Sequence, residues 1–399
     1  MAIFRNSVAE KWNPRYVRPM YVKRVIPIAE ELKKASVLLL GPRRTGKSAF
    51  IRNQAPPHRV YDLLKSDVFL RLSRRPSLIR ESLTAEDRLI AIDEIQKLPA
   101  LLDEVHAMIE EKGVRFLLTG SSARKLKRTR SSLMAGRART RLLAPFVSTE
   151  LPTLDLEKAL TFGMLPPVQL SDEPLEELSS YVGTYLREEI QAEALSRNIE
   201  GFSRFLTRAA MWSGELVNFE GVGRDSQMPP RTVREYYALL EDTLVGTMLE
   251  PLQTTGRRKA VSRGKFYFFD IGVVHALTGE LAVGAGTPAY GKAFEHFVWQ
   301  ELNAYRAYFA RGQSLHFWRD KGGAEVDFVL GGKVAVEVKS STSVDDRDLR
   351  GLHAISEQSD FPIERRIVVC REPDPRRVRD VEIMPYELFL ERLWAKDLF

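Results

Sequence analysis

Ser36-Val-Leu-Leu-Leu40 runs straight into Gly41-Pro42-Arg43-Arg44-Thr45-Gly46-Lys47-Ser48, and this stretch decides the fold. An uninterrupted apolar run ending in glycine reads as a buried strand. The eight residues from Gly41 to Ser48 fit G-x-x-x-x-G-K-[ST], a loop between a strand and a helix. The glycines let the backbone bend so that successive N–H groups face one point, and the helix opening at Lys47 adds the positive end of its dipole. The stretch predicts a cradle for nucleotide phosphates, walled by Gly41, Pro42, Arg43, Arg44, Thr45 and Gly46. Lys47 would contact the β- and γ-phosphates and Ser48 would ligate Mg²⁺.

Downstream, Leu89-Ile-Ala-Ile-Asp93-Glu94 places two carboxylates at the end of another apolar strand. A charged strand end is common, but beside a phosphate cradle Asp93 suits the Mg²⁺ shell and Glu94 the polarisation of an attacking water. A further strand over Val114–Leu118 ends in Thr119-Gly-Ser121-Ser122. Thr119 is the first choice for orienting that water or sensing the γ-phosphate, and Ser121 remains open. With Arg59-Val-Tyr-Asp62 these runs alternate with helical stretches, the pattern of a parallel sheet covered on both faces.

The segment from Arg124 to Arg141 carries Arg124, Lys125, Lys127, Arg128, Arg130, Arg137, Arg139 and Arg141, with no acidic residue. Such a run is commonly a solvated face. It also suits a surface that tracks nucleic-acid phosphates, or an arginine finger reaching a neighbouring subunit's γ-phosphate, with Arg137 in Met-Ala-Gly-Arg-Ala as the best candidate.

These residues carry a resemblance. Asp-Glu after one strand, Thr-Gly-Ser-Ser after the next and the Ala-Gly-Arg segment resemble the AAA+ ATPases of bacteria and archaea. More narrowly, the chain resembles the prokaryotic group whose P-loop reads Gly-Pro-Arg-Arg/Gln-x-Gly-Lys. There an AAA+ core precedes a winged-helix-like region and a restriction-endonuclease-like domain. The resemblance extends over nearly the whole chain. It implies ATP and Mg²⁺ as cofactors, ATP hydrolysis, and a homo-oligomer whose active site is shared between subunits.

Length and composition agree with several domains. At 399 residues, two or three domains are the starting expectation, and a hydrophobic content of 44% is ordinary for buried cores. Residues 1–24 form a basic, aromatic arm, 25–154 the AAA+ P-loop domain, 155–285 a mostly helical, winged-helix-like domain, and 286–399 a second α/β unit beyond the Gly-rich stretch Gly284–Gly291. The fold class is therefore α/β. Sixty Lys and Arg against 53 Asp and Glu leave a net +7, which favours a polyanion as partner. The one cysteine, Cys370, sits in an apolar run and excludes a disulfide framework or a Cys-based zinc site. The six histidines show no metal-pair spacing. No apolar run approaches the ~20 residues of a membrane span, and the first residues lack a secretory apolar region. A cytoplasmic protein without a membrane partner is expected.

Within 218–240, Pro230 suits a first helical turn. Val233, Tyr237 and Leu240 share one face, leaving Arg231, Thr232 and Arg234 outward. This resembles the helix-turn-helix of winged-helix domains, whose second helix enters a DNA groove, with Gly264–Phe269 as the wing. Beyond the boundary, Glu295 lies on a helix over Ala293–Tyr305, and Glu325-Val-Asp327 and Val336-Glu337-Val-Lys339 on consecutive strands. Glu337 and Lys339 share a face because strand side chains alternate. The set resembles the PD-(D/E)XK nuclease core, which implies Mg²⁺ on Asp327, Glu337 and Glu295 and a water oriented by Lys339, with Arg319 and Ser340 assisting at phosphate. The expected function is a Mg²⁺-dependent ATPase that works on duplex or branched DNA. The alternatives are an ATP-regulated endonuclease and a nucleotide-dependent protein-interaction switch.

Overall fold

The apolar run ahead of the glycine-rich loop is strand β1 (Ser36–Leu40) of a five-stranded sheet with β2 (Arg59–Asp62), β3 (Leu89–Asp93), β4 (Arg115–Gly120) and β5 (Ala138–Leu142), in the order β2-β3-β4-β1-β5. The computed structural model describes residues 21–122, 136–186, 199–253, 263–281, 283–358 and 362–398. Every neighbouring pair in the sheet is parallel. Its strands alternate between two apolar faces. Leu39, Ala91 and Leu117 pack with Phe50 and Ile51 of the helix Lys47–Asn53, while Ile90, Ile92, Phe116 and Leu118 pack with Leu101, Val105 and Met108 of the helix Leu101–Lys112. Strand β5 lies inside the basic run and carries Arg139 and Arg141. It is an edge strand without an apolar stripe, which is why hydrophobicity does not announce it.

The middle region is mostly helical, as the pattern predicts, with helices Leu156–Phe162, Pro166–Gln169, Pro174–Ser180, Ile199–Met211, Phe219–Ser226, Pro230–Asp242 and Ile271–Thr278. The stretch Gly264–Phe269, expected as a small hairpin forming the wing, holds a single strand, β7 (Lys265–Phe268), because its partner comes from earlier in the chain. It pairs antiparallel with β6 (Gly246–Leu249), and Leu216 bridges to Lys265 on its other side. Gly223 sits within a helix because a Cβ there would lie 2.8 Å from the Met228 carbonyl oxygen.

The C-terminal region opens on the helix Pro288–Tyr308, which begins before the apolar periodicity does. Thr287 caps it, accepting from the Tyr290 N–H at 3.2 Å, and Pro288 takes the first helical position. Strands β8 (Leu315–Arg319), β9 (Glu325–Leu330), β10 (Val334–Val338), β11 (Arg365–Cys370), β12 (Arg376–Val378) and β13 (Val381–Pro385) form a mixed sheet ordered β12-β13-β11-β10-β9-β8. The β8-β9 and β9-β10 pairs are antiparallel. After the helix Arg350–Gln358 the chain returns with β11 parallel to β10. Cys370 is buried in β11, as its apolar neighbours predict. A final helix, Tyr386–Ala395, packs behind. One apolar core joins this region to the middle one, with Phe266 and Phe268 beside Phe294, Trp299 and Phe328. Among the described residues, no helix is long and apolar enough to cross a membrane.

Glu301 ties this assembly to the exit of β5. It accepts from the Ser148 N–H at 2.7 Å, the Ser148 hydroxyl at 2.8 Å and the Trp394 indole at 2.6 Å. Burial, despite those donors, pushes its carboxyl up to about 7. The native state therefore keeps a proton that the unfolded chain has already lost above the ordinary carboxylate range. Stability from this site falls as pH rises toward 7, by on the order of 3 kcal/mol, and then levels off. Denaturant unfolding of wild type and Glu301→Gln at about pH 5 and about pH 8 checks this: the wild type loses stability across that interval and the variant loses less.

Candidate functional site

The glycine-rich loop closes at the carboxyl edge of the parallel sheet, where ligands of such folds bind. Gly46, at φ 93°, precedes the helix Lys47–Asn53, and Arg44 is also left-handed at φ 63°. A Cβ on Gly41 would meet the Leu143 carbonyl oxygen at 2.5 Å, so the first loop position admits glycine alone. Lys47 is 5% exposed. Its ammonium donates to the Gly41 and Pro42 carbonyls at 2.8 and 2.9 Å, across the concave side of the loop. Thr45 Oγ1 also donates to Pro42 O, at 2.9 Å. Ser48 and Arg43 are half-buried beside it. Arg44 reaches out of the loop to Glu177 of the helix Pro174–Ser180, at 2.7 Å.

Behind the loop stands Arg24, assigned by sequence to the arm. It is 3% exposed and donates to the Thr45 carbonyl at 2.7 Å, to the Ala144 and Pro145 carbonyls at 2.8 Å each, and to Glu150 Oε2 at 2.9 Å. Residues 1–20 of the arm lie outside the described residues.

Asp93 ends β3, and Glu94 comes next in the left-handed region at φ 60°, ψ 47°. A non-glycine residue held there costs ~1–3 kcal/mol and persists where its surroundings over-determine it. The surroundings are specific. The Thr119 hydroxyl donates to Asp93 Oδ1 and accepts the Glu94 N–H at 3.1 Å. Ser121 donates to Glu94 Oε2 at 3.3 Å, and Gln96 Nε2 donates to the same carboxylate and, at 3.0 Å, to Ser121 Oγ. The alternatives left open by sequence thus both have partners: Thr119 holds Asp93 and Ser121 holds Glu94. Gln96 has no sequence signal beyond its place two residues after Glu94. The cradle that a Cβ would fill, the Lys47 ammonium, the Ser48 hydroxyl and the Asp93 carboxylate fit a magnesium nucleotide.

Of the basic candidates, Arg137 is bound to Glu110 of its own chain at 2.6 Å. Arg124, Lys125, Lys127, Arg128 and Arg130 lie outside the described residues. On the helix Pro230–Asp242, Arg231 and Arg234 are exposed and Thr232 is half-buried, while Val233, Tyr237 and Leu240 face inward. Arg231 pairs with Glu235, and Arg234 lies 4.9 Å from the Phe219 ring centroid.

In the C-terminal region the predicted carboxylates do converge. Asp327 is buried and accepts the Val338 N–H at 2.8 Å. Burial, with Glu337 and Glu295 adding repulsion, holds its carboxyl well above the usual range. Burial likewise pushes Glu337 up to about 7, against the pull of Lys339, whose ammonium donates to Glu337 Oε1 at 2.8 Å. Glu337 Oε2 is buried without a hydrogen-bond partner among the described residues. Arg319 pairs with Glu325 at 3.2 Å. Two residues that sequence reasoning missed come from β7: Tyr267 donates to Glu295 Oε1 at 2.6 Å, and Lys265 lies 2.6 Å from Glu325 Oε1 and 3.5 Å from Glu295 Oε1. Among the described residues, no group of three or more His, Cys, Asp or Glu side chains is arranged to hold a metal ion. The expected triad of Glu295, Asp327 and Glu337 is no exception: Glu295 accepts from the Tyr267 hydroxyl, Asp327 from the Val338 N–H and Glu337 from the Lys339 ammonium. His296 turns away from Glu295, as predicted: its Nε2 lies 2.7 Å from Phe268 O, and burial lowers its pKa to about 3.

Comparison with known proteins assigns three family matches in chain order. An AAA domain (AAA_14) matches residues 33–151, a domain of unknown function (DUF8612) residues 153–282, and another (DUF4143) residues 290–389. No curated protein matches. Among solved structures, the chain is similar at 11% identity to Can2 from Sulfobacillus thermosulfidooxidans in complex with cyclic tetra-adenylate. That match covers 91% of this chain and 99% of that one, with a TM-score of 0.22. The chain thus carries an AAA-type ATPase domain followed by two domains of unknown function.

Proposed function

We propose that this chain is a Mg²⁺-dependent ATPase that binds duplex or branched DNA and couples ATP hydrolysis to remodelling it or moving along it. The observation that carries the reading is the meeting of Lys47, Asp93, Glu94 and Thr119 at one edge of the parallel sheet. Mg²⁺, held by Ser48 and Asp93, would screen the phosphate charge. Lys47 leaves the Gly41 and Pro42 carbonyls for the β- and γ-phosphates, and Glu94, oriented by Gln96 and Ser121, takes a proton from the attacking water. In a homo-oligomer a neighbour supplies an arginine. Arg137 fills that role only by releasing Glu110.

Support for DNA comes from the middle region and from charge. Three helices, Ile199–Met211, Phe219–Ser226 and Pro230–Asp242, lead into the β6-β7 pair, with Leu216 as a third short edge, an order that would suit a winged helix. The third helix presents Arg231 and Arg234 outward. The net charge of +7 suits a polyanion. The deciding experiment is steady-state ATP hydrolysis alone, with duplex DNA and with four-way-junction DNA, using Glu94→Gln as the blank. Stimulation by DNA, and binding that weakens steeply as salt rises, are expected. A DNA-independent rate with no binding at low salt would overturn the DNA part and leave the ATPase and the protein-interaction switch.

A second reading, an ATP-regulated endonuclease, is favoured by the buried convergence of Asp327, Glu337 and Lys339. An antiparallel β8-β9-β10 set joined through a helix to a parallel β11 would suit a restriction-endonuclease-like core. On this reading, Asp327→Ala and Lys339→Ala abolish DNA cleavage and leave ATP hydrolysis intact.

A further inference from the structure

All three regions of the chain meet at a cavity of about 150 Å³. Its walls come from Pro42 of the phosphate loop, from Leu244 and Phe269 of the middle region, and from Trp299 and Gln300 of the helix Pro288–Tyr308. Two of these residues are held against their local preference. Gln300 is 4% exposed, and neither Oε1 nor Nε2 of its amide has a hydrogen-bond partner among the described residues. A buried amide left unpaired is costly, and an apolar side chain of the same length would avoid that cost. Leu244 follows the helix Pro230–Asp242 in the left-handed region at φ 61°, a position usually given to glycine. Its side chain packs against the core of the parallel-sheet domain. Strain of this kind gathers where ligands are clamped, and binding sites favour the junctions between domains.

The walls define what fits. Pockets for drug-sized ligands start at about 300 Å³, so this one suits a single ring system and not a whole nucleotide. Glu241 is the one charged side chain among the described residues that line it, which disfavours a phosphate or carboxylate. Asn303, also on the wall, already accepts from Arg306 Nη2 at 3.0 Å, which leaves the Gln300 amide to read a ligand. The Trp299 ring is fixed by stacking on Tyr267, with centroids 4.7 Å apart. A primary amide sets a donor beside an acceptor, and it forms paired bonds with any edge that does the same, as glutamine does with adenine. We propose that this cavity is an effector site for an uncharged flat ring carrying a hydrogen-bond donor next to an acceptor, the edge shared by an amino-substituted purine and a ring carboxamide. Gln300 turns about χ3, a broad torsion, to meet that edge. The link to ATP runs through Pro42, whose carbonyl accepts from the Lys47 ammonium and the Thr45 hydroxyl, each at 2.9 Å. A ring packed against Pro42 biases the group that Lys47 leaves to reach phosphate. The inference rests on the reading of the loop as an ATP site, but not on DNA.

The test uses the full chain and calorimetric titration with N9-methylated adenine and with nicotinamide. Each is run beside an analogue without the donor: N9-methylated purine, and the methyl ketone in place of the nicotinamide amide. One of the two probes should bind once per chain, at least about tenfold tighter than its analogue, and the probe that binds names the ring class. Gln300→Met should bind probe and analogue alike, and Ala304→Leu, which fills the cavity from its wall, should bind neither. The bound ring should change the affinity for MgATP by about fivefold or more, and MgATP should change the ring's affinity by the same factor without displacing it. Failure of both probes to bind folded wild type at millimolar concentration overturns the proposal. A folded Gln300→Met that keeps the wild-type preference, or a folded Ala304→Leu that binds as wild type does, overturns it too; should one variant not fold, the other decides. Displacement of the ring by ATP would put ATP's own base in the cavity and end the proposal, and so would a ring that binds without altering ATP affinity. Ring binding by a wild type that binds no MgATP would uphold the cavity and fail the nucleotide reading instead.

Discussion

Glu94→Gln will lower ATP turnover at saturating ATP by about 10²–10⁴-fold, the usual worth of a positioned general base, while ATP binding stays within a few-fold of wild type. The separation comes from the geometry. Glu94 contacts Ser121 and Gln96 through its carboxylate and Thr119 through its N–H, and a glutamine of the same length preserves the backbone bond and an acceptor oxygen. The substitution removes the capacity to take a proton from water. Asp93 and Lys47, which carry the metal and phosphate contacts of the proposed mechanism, are untouched. Phosphate release and equilibrium binding of a fluorescent ATP analogue measure the two quantities separately. Turnover within about threefold of wild type would assign the base elsewhere, and a parallel loss of binding would make Glu94 part of the cradle.

Arg24→Ala will cost about 3–5 kcal/mol of stability at neutral pH, the range seen when one member of a buried ion pair is removed. The guanidinium serves three carbonyls, among them Thr45 of the phosphate loop, and the Glu150 carboxylate. Without it, Glu150 keeps, among the described residues, the N–H groups of Val25, at 2.8 Å, and Val147, at 3.1 Å. Burial already raises the Glu150 pKa against the pull of Arg24, and removing that pull raises it further. The variant's deficit therefore shrinks as pH falls and Glu150 takes up a proton. Denaturant unfolding of Arg24→Ala and of Arg24→Met/Glu150→Leu reads this directly: the double variant recovers much of the loss, because no lone charge stays buried. A single-variant loss below about 1 kcal/mol would mean that water reaches Glu150 and that Arg24 does not brace the loop.

Legibility differed from one part of the chain to another for physical reasons. Strands β1, β3 and β4 are buried on both sides and therefore read as apolar runs, and the mixed-sheet strands carrying Asp327 and Glu337 are apolar enough to be placed the same way. Strand β5 escaped notice because an edge strand bearing Arg139 and Arg141 satisfies its charges in solvent and against Glu31, at 3.9 and 2.5 Å. Strand β6 is short and gains its meaning only from pairing with β7. Lys265 left one faint trace: a lysine at the head of Lys265-Phe-Tyr-Phe268, a strand buried along its whole length. A charge in such a place needs a partner, but nothing near it in the chain names one.

The sequence by itself determined the phosphate cradle and the carboxylates at the end of β3. Their chemistry depends on backbone bends and side-chain types within a few consecutive positions, which a contiguous motif encodes. Only the tertiary structure decided that Thr119 serves Asp93 while Ser121 serves Glu94, that Arg24 braces the loop from behind, and that an ammonium from the middle region stands among the C-terminal carboxylates. Each of those pairings joins side chains from separate elements. It is set by how sheets and helices pack and by the cost of leaving a buried charge alone, neither of which is written at any one place in the chain.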